Sequence, residues 1–365
     1  MSANNIKGEM NMGLQEQFIN FNKKIKMDYD EKSELADKRD KLIKKLNRNE
    51  NLPGFIKLDQ GSYAMFTGVE PLDKEYDIDV GLRFNVDKAD YEDPMTLKRQ
   101  VQEILDGHTS SGAEIKTPCV TVTYKKDGED AYHADLVVYV YEDKNDKDSQ
   151  LYLARGKDTK PEEICWEKSD PKGLVDYING AVEDADDREQ YRRVIRYLKR
   201  WKNKKFTSSG NSEPPSIGIT LIAAEKYKVY KETDTLSSRV KYNDLEALYN
   251  LATEMQNLFE YKRTNEFGRE IYTIEVGFPK DLKFETDVNI FKKMTEIQMT
   301  TFKEKVDKLV DDLGMVRNET DIIEQCKKLN TIFGDDFEIP EVEDVSIKQK
   351  NCIPSSSASG VGYID

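Results

Sequence analysis

The sequence is poor in the residues on which several common catalytic and binding sites depend. It contains four Cys, far apart and without a C-x-x-C spacing, and two His. Such cysteines argue against a disulfide framework or a zinc knuckle and favour reduced, structural thiols. With only His108 and His133 available, Ser/His/Asp or Cys/His catalysis has little to work with.

Long apolar runs and an excess of basic residues are also missing. No apolar run reaches the roughly 18 residues that span a bilayer, and residues 1–18 lack an apolar signal-peptide core. We therefore expect a cytoplasmic protein without membrane contact. The net charge is −14, whereas proteins that coat nucleic acid are usually basic, so polymeric nucleic acid is not an expected ligand. Small anions can still bind a local basic patch.

The chain's 365 residues, 37 % hydrophobic and 35 % charged, allow two domains or one large bilobal one. Periodicity and composition predict a mainly α+β protein in four segments. These are an N-terminal helical arm (1–50), an α/β core (51–160), a helical lobe (161–345) and a flexible polar tail (346–365).

Hydrophobic periodicity predicts the main elements of the core. "YDIDVGLRFNV" and "YHADLVVYVY" have the pattern of strands, and "DPMTLKRQVQEILDGH" that of a helix with Asp93 as N-cap. A helix between strands indicates a mixed sheet. In the helical lobe, "FKEKVDKLVDDLG" is amphipathic, and Gly314 is placed to end it.

Two aspartates stand together on one face of the first of these strands. Residues i and i+2 of a strand share a face, so Asp77 and Asp79 point the same way, opposite the apolar residues. Asp135 lies in the second strand, on the face shared with His133. If the strands pair, three carboxylates converge and repel one another unless cations neutralise them. The alternative is an acidic, solvated strand face.

Hard divalent cations are the natural partners of such a carboxylate cluster. Oxygen ligands favour Mg²⁺ or Mn²⁺, and two such ions about 4 Å apart form the clamp used in phosphoryl and nucleotidyl transfer. Gly61 and Ser62, at a turn before a short helical stretch, precede Asp77 by about fifteen residues. Backbone N–H groups and a hydroxyl at a helix start bind phosphate oxygens, and glycine permits close approach.

The helical lobe offers cations for the same site. Arg192, Arg196 and Lys199 share one side of a predicted helix. Lys199 is a candidate ligand for a triphosphate, and Ser216, at a predicted helix start in "PPSIG", is another phosphate candidate. The alternative for the basic residues is an ordinary solvated face.

The order G-S, D-x-D and a distant Asp resembles the DNA polymerase β-like nucleotidyltransferase superfamily. Within it, the chain looks like a bacterial cGAS/DncV-like nucleotidyltransferase (CD-NTase). Four segments carry this resemblance, and "SDPK" in the third indicates the bacterial second-messenger synthases. The segments are "GSYAMFTGVEPLDKEYDIDVGLRF", "YHADLVVYV", "WEKSDPKGLVDYI" and "YLKRWKNKKF" with "PPSIGITLIAAEKY".

The resemblance implies a fold and a set of roles. The fold would be a bilobal polymerase β-like core with a helical C-terminal lobe similar to that of oligoadenylate synthase. Two Mg²⁺ or Mn²⁺ ions would bind the carboxylates, and Asp135 would also favour deprotonation of the attacking ribose hydroxyl. The residues of this sequence at the positions matching the family's phosphate-binding and base-binding residues would have the same roles. The implied residues are Asp77, Asp79 and Asp135 for catalysis and metal; Gly61, Ser62, Lys199 and Ser216 for the triphosphate; and Ser169 and Asp170 for the base.

The resemblance also implies a biological setting. The enzyme would make a cyclic di- or trinucleotide from NTPs, with ATP, GTP or both as substrates, in anti-phage defence (CBASS). Its product would activate a separate effector. In some members a ubiquitin-like transferase joins the C-terminal residue to other proteins, and the tail would suit this, although a plain disordered end is equally consistent. Two alternatives stay open: a superfamily relative acting on an RNA end or a small molecule, and a catalytically inactive scaffold.

Overall fold

The computed structural model describes residues 3–27, 34–73, 75–207, 212–233, 239–286 and 288–341. The predicted tail (346–365) lies outside these residues. Helices within them are α1 (Ala3–Ile25), α2 (Glu34–Asn47), α3 (Gly61–Ala64), α4 (Met95–Leu105), α5 (Pro171–Gly180), α6 (Ala185–Lys205), α7 (Ser216–Lys226), α8 (Asp244–Gln256), α9 (Glu296–Asn318) and α10 (Ile322–Phe333). Strands are β1 (Phe55–Asp59), β2 (Tyr76–Asp87), β3 (Ala113–Ile115), β4 (Val120–Lys126), β5 (Glu129–Tyr141), β6 (Leu151–Lys157), β7 (Lys160–Ser169), β8 (Lys231–Thr233), β9 (Val240–Tyr242), β10 (Phe259–Thr264) and β11 (Glu270–Ile274).

A mixed sheet of seven strands forms the α/β core. Its main path runs β1-β2-β5-β4-β3, and β6 joins the end of β5 and pairs with β7. The central pair, β2 and β5, is parallel, and the other neighbours are antiparallel. The predicted mixed sheet with helices is therefore confirmed. Since β7 runs to Ser169, the sheet extends past residue 160, where the core was expected to end.

One face of this sheet is apolar and covered by helices. The alternating residues of β2 point into it, and α2 and α4 add Leu42, Leu97 and Val101 from across the interface. The α4 helix begins close to its predicted start, where the Met95 amide donates to the Asp93 carboxylate at 2.9 Å. The buried residues of β2 are Ile78, Val80, Leu82 and Phe84.

A second core lies in the helical lobe and includes α1. Phe18 and Phe21 of α1 each lie 5.3 Å from the Tyr197 ring on α6, measured between centroids. Helices α7 to α10 complete this core. The residues predicted as an N-terminal arm are thus divided, because α1 packs into the helical core and α2 packs on the sheet. The domain boundaries themselves stay a prediction.

The helical lobe differs from the sequence-based expectation in two respects. Gly314 does not end a helix, because α9 continues to Asn318. Glycine costs about 1 kcal/mol inside a helix, and burial of Leu313 and Val316 around it offsets this. Two short hairpins, β8–β9 and β10–β11, interrupt a region expected to be helical. None of the described helices is long and apolar enough to cross a membrane.

Candidate active site

The other face of the sheet carries the predicted carboxylates on its two central strands. In the parallel pairing of β2 and β5, Asp79 lies opposite Asp135, and Asp77 lies opposite His133. Because side chains alternate along a strand, the three aspartates project from the same face, away from the apolar core. The observed pairing of the two strands therefore places the three carboxylates on one face of the sheet.

The face that carries Asp77, Asp79 and Asp135, called the acidic face below, brings like charges together. Burial, with the charges of Asp135 and Asp77, raises the pKa of Asp79 to about 6. Burial also raises the pKa of Asp77, although the nearby His133 lowers it. Asp135 accepts a hydrogen bond from Thr121 Oγ1 at 2.5 Å, which fixes the direction of its carboxylate. Such a cluster gains stability when a cation enters.

No set of three His, Cys, Asp or Glu side chains in the described chain is arranged closely enough to hold a metal ion as it stands. The residue types nevertheless fit a hard cation. Three carboxylates project from one face, and two of them have a pKa raised by burial and like charge. Oxygen donors of this kind suit Mg²⁺ or Mn²⁺.

The Gly61-Ser62 turn lies directly against Asp79. Gly61 has φ +68° and begins α3, and a Cβ built on it would lie 1.9 Å from Asp79 Oδ2. Only glycine therefore fits here, both for its backbone conformation and for its space. The turn is closed by a hydrogen bond from the Thr67 amide to the Ser62 carbonyl at 3.0 Å. The predicted phosphate-binding pair and the acidic strand are thus neighbours.

A cavity between the core and the helical lobe brings several predicted residues together. Its volume is about 210 Å³, and its lining includes Ser62 and Asp77 from the core and Lys199 and Ser216 from the helical lobe. Two lysines, Lys199 and Lys202, line the cavity, so it can receive an anion beside the carboxylates of Asp77 and Glu75. Its other lining residues are Met27, Gly68, Val69, Pro71, Glu75, Tyr76, Lys202 and Asn203.

Lys199 is buried where the two lobes meet. Its Nζ donates to the Thr67 carbonyl at 3.1 Å and to Thr67 Oγ1 at 2.9 Å. Burial, with the positive charges of Lys202 and Arg196, lowers the pKa of Lys199 to about 7. A triphosphate arriving in the cavity would therefore meet a lysine whose positive charge is poorly compensated.

Lys202 shares this position one turn further along α6. It is 6 % exposed, and its Nζ donates to Ser216 Oγ at 2.8 Å. Lys202 also forms an ion pair with Glu213. Sequence reasoning missed Lys202, although its spacing of three from Lys199 places both on one side of a helix.

Ser169 and Asp170 do not line this cavity. Asp170 is the N-cap of α5, where one carboxylate oxygen accepts from the Gly173 amide at 2.9 Å and the other from the Lys283 amide at 3.2 Å. Ser169 is 8 % exposed at the end of β7. These bonds connect the sheet to the loop carrying Lys283 in the helical lobe. The predicted contact of these two residues with a base stays a prediction.

Residues 56–139 match the family model for the nucleotidyltransferase domain of DncV-like cyclic GMP-AMP synthases. This segment is therefore a DncV-like nucleotidyltransferase domain. The matched segment contains Gly61 and Ser62 and all three aspartates of the acidic face. The family predicted from the G-S and D-x-D patterns is confirmed.

Two curated relatives match about half of this chain. A cyclic GMP-AMP synthase from Escherichia albertii is 29 % identical over 184 residues, which are 48 % of this chain and 38 % of that protein. A c-di-GMP synthase from Roseivirga ehrenbergii is 25 % identical over 220 residues, which are 52 % of this chain and 54 % of that protein. The chain thus covers about half or less of these relatives' lengths.

The fold of this chain matches solved structures over most of its length. The CD-NTase CdnG of Bradyrhizobium diazoefficiens, solved with GTP, superposes with a TM-score of 0.64 at 15 % identity. The match covers 89 % of this chain and 96 % of that one. It shows a common α+β fold with a helical C-terminal region, as predicted.

Proposed function

We propose that this chain is a cyclic oligonucleotide synthase that makes a cyclic di- or trinucleotide from NTPs and releases pyrophosphate. The observation that carries the proposal is the meeting of Ser62, Lys199 and Ser216 with Asp77 around one cavity beside the acidic face. A phosphate-binding turn and lysines beside a carboxylate cluster are the parts that nucleotidyl transfer requires. The curated relatives, a cyclic GMP-AMP synthase and a c-di-GMP synthase, support ATP and GTP as substrates.

Asp77, Asp79 and Asp135 would hold the divalent cations, Mg²⁺ or Mn²⁺. When bound, such ions neutralise the carboxylates and stabilise negative charge on the reacting phosphate and hydroxyl oxygens. The raised pKa values of Asp77 and Asp79 are the property of this chain that supports a cation there.

The protein's own groups would bind and orient the nucleotides. The backbone of Gly61 and Ser62 would approach the donor triphosphate, and the ammonium groups of Lys199 and Lys202 would offset its charge from the opposite wall. The acceptor's ribose hydroxyl would give up its proton near Asp135, whose orientation Thr121 fixes. Its oxygen would then bond to the α-phosphorus as the bond to pyrophosphate breaks. A second transfer within the linear product would close the ring.

The proposed biological role follows from the family resemblance. In anti-phage defence the cyclic product would activate a separate effector protein. The C-terminal tail, which lies outside the described residues, would suit conjugation by a ubiquitin-like transferase, and the alternative is a tail that is not conjugated. Ser169 and Asp170 would contact a base, with Asp170 exchanging its present partners for the nucleotide.

The test is an incubation of purified protein with all four NTPs and Mg²⁺ or Mn²⁺, followed by phosphatase treatment and mass spectrometry. We expect a phosphatase-resistant cyclic oligonucleotide, whose mass identifies the bases. The D77A/D79A double variant, shown to be folded by circular dichroism, should make none. NTP binding without product would favour the alternative that acts on an RNA end or small molecule. Absence of NTP and Mn²⁺ binding, measured by thermal shift, would indicate an inactive scaffold.

A further inference from the structure

Three basic residues on one side of α6 contact the segment that follows Gly61-Ser62. Arg192, Arg196 and Lys199 are spaced by four and three residues and therefore share one helix face. This face is not solvated, since Arg196 is 1 % exposed and Lys199 is 4 % exposed. Their common target is the turn from Gly61 to Thr67, which is called the phosphate turn below.

Arg196 connects the phosphate turn to two helices of the other lobe. Its Nη2 donates to the Phe66 carbonyl at 2.9 Å, and its Nη1 donates to Asn22 Oδ1 on α1 at 2.6 Å. The planar guanidinium can make two such bonds in fixed directions, which a lysine ammonium cannot reproduce. One buried side chain on α6 thus ties α1 to the phosphate turn.

Arg192 contacts the same turn by two routes. Its guanidinium lies 4.6 Å from the centroid of the Phe66 ring, within the range of a cation–π contact. It also donates to Asn179 Oδ1 at 3.1 Å, and Asn179 Nδ2 donates to the Ala64 carbonyl at 3.1 Å. Both ends of the short segment 64–66 are therefore held from the helical lobe.

The backbone of Phe66 explains why such support is needed. Its φ is +55°, in the left-handed region that bulky residues rarely occupy. A residue stays in this conformation only when its surroundings fix it. Arg192 holds the ring of Phe66, Arg196 holds its carbonyl, and Lys199 holds the next residue, Thr67.

We propose that Arg192 and Arg196 are positioning residues that keep the phosphate turn preformed for the donor triphosphate. A preformed turn binds phosphate without the cost of ordering its backbone at the moment of binding. Because the arginines belong to the helical lobe and the turn to the core, they also fix the distance between the cavity walls. The inference rests on the proposed function for the identity of the anion, an NTP.

The first measurement is amide hydrogen exchange of the nucleotide-free protein. The amides of Met65, Phe66 and Thr67 are hydrogen-bonded within the turn. R196M should speed their exchange by about tenfold or more, because the charged donor to the Phe66 carbonyl is lost. The control is R317M, which removes a partly buried arginine paired with Glu246 far along the chain, and it should leave this peptide unchanged. Unchanged exchange in R196M would overturn the inference.

The second measurement is the affinity for non-hydrolysable ATP and GTP. R196M should weaken binding by about tenfold, R192M should weaken it less, and R317M should leave it unchanged. R196K keeps the buried charge and should lie between wild type and R196M, so it decides the question if R196M does not fold. Equal affinities of wild type, R196K and R192M would contradict the positioning role.

The two proposals can fail separately. If R196M loosens the turn but the wild-type protein binds no NTP, the positioning of the turn stands and the proposed function fails. If the wild-type protein binds NTP and makes product, yet the arginine variants keep their exchange rates and affinities, only the positioning role fails.

Discussion

Asp79 and Asp135 lie opposite each other on adjacent parallel strands, and Asp79 Oδ2 lies only 1.9 Å from the place that a Cβ at position 61 would take. Backbone pairing thus holds like charges together, and the phosphate turn packs on one of them. Without a cation this arrangement costs stability, as is common where a fold serves a site rather than its own packing.

We predict that D79N stabilises the metal-free protein while abolishing product formation. The folded state raises the pKa of Asp79 from 3.8 to about 6. The charge of Asp79 therefore destabilises the folded protein fully at pH values above the folded pKa. It has no effect at pH values well below the unfolded pKa. At pH about 7 the gain should reach up to about 3 kcal/mol, or several degrees in Tm. Product formation should fall by about a thousandfold or more.

Thermal unfolding in a chelating buffer checks this prediction at two pH values. The gain in Tm should be clear near neutral pH and should largely vanish at about pH 3, below the unfolded pKa of 3.8, where Asp79 is mostly protonated in both states. D312N, which removes a partly buried carboxylate paired with the exposed Lys308, is the control and should not change Tm appreciably. A D79N variant less stable than wild type at pH about 7 would contradict the electrostatic account.

The acidic face could be predicted from sequence because its signals are local. Alternation over "YDIDVGLRF" assigns Asp77 and Asp79 to one face, and the same alternation in "YHADLVVYV" assigns Asp135 to the matching face. Register between the strands could not be predicted, because it depends on the crossover through α4 and on pairing with β4. The structure supplies it by placing Asp79 opposite Asp135.

The tertiary contacts of α6 were not predictable in the same way. Lys202 and Glu213 meet because α6 and α7 fold back on each other, which no local pattern encodes. The basic residues of α6 were expected either at the triphosphate or in solvent, and the structure shows Arg196 and Lys199 buried against the phosphate turn. The prediction that Gly314 ends a helix was wrong. Glycine often ends helices, but here the burial of Leu313 and Val316 stabilises α9 on both sides of Gly314.

We predict that nucleotide affinity depends on pH through Lys199. Its pKa is lowered to about 7 in the free protein, so above that value the side chain is largely neutral. A bound triphosphate favours the charged form, so binding should take up a proton, and affinity should fall by up to about tenfold per pH unit between about pH 7.5 and 9. Calorimetry in buffers of different ionisation enthalpy measures the uptake. In K199M the uptake and the slope should disappear, and a slope that persists would assign the titration to another group.

We predict opposite effects for the two members of the Lys202–Glu213 pair. Glu213 is the counter-ion of Lys202 in the nucleotide-free protein, and an incoming triphosphate must compete with it. E213Q should therefore tighten binding of a non-hydrolysable NTP several-fold, and K202M should weaken it by about tenfold or more. D312N again removes one negative charge, at a pair within α9 that does not line the cavity, and should leave the affinity within about twofold. Weaker binding by E213Q would mean that Glu213 positions Lys202 rather than competing for it.

Lys98 should stabilise the fold without contributing to nucleotide binding. It is fully buried on α4, and its Nζ donates to the carbonyls of Lys116, Thr117 and Gly156 at 2.7 to 2.8 Å. Burial lowers the pKa of Lys98 to about 8, so at neutral pH it is an ammonium group with all three protons bonded. K98M would leave three carbonyls without this donor and should destabilise the protein by roughly 3 to 5 kcal/mol.

Urea unfolding measures the loss of stability in K98M. The control is K41M, which alters an exposed lysine of α2. The folded fraction of K98M should bind NTP with wild-type affinity, because the carbonyls it supports lie outside the cavity; a large loss of affinity would show that α4 positions the site.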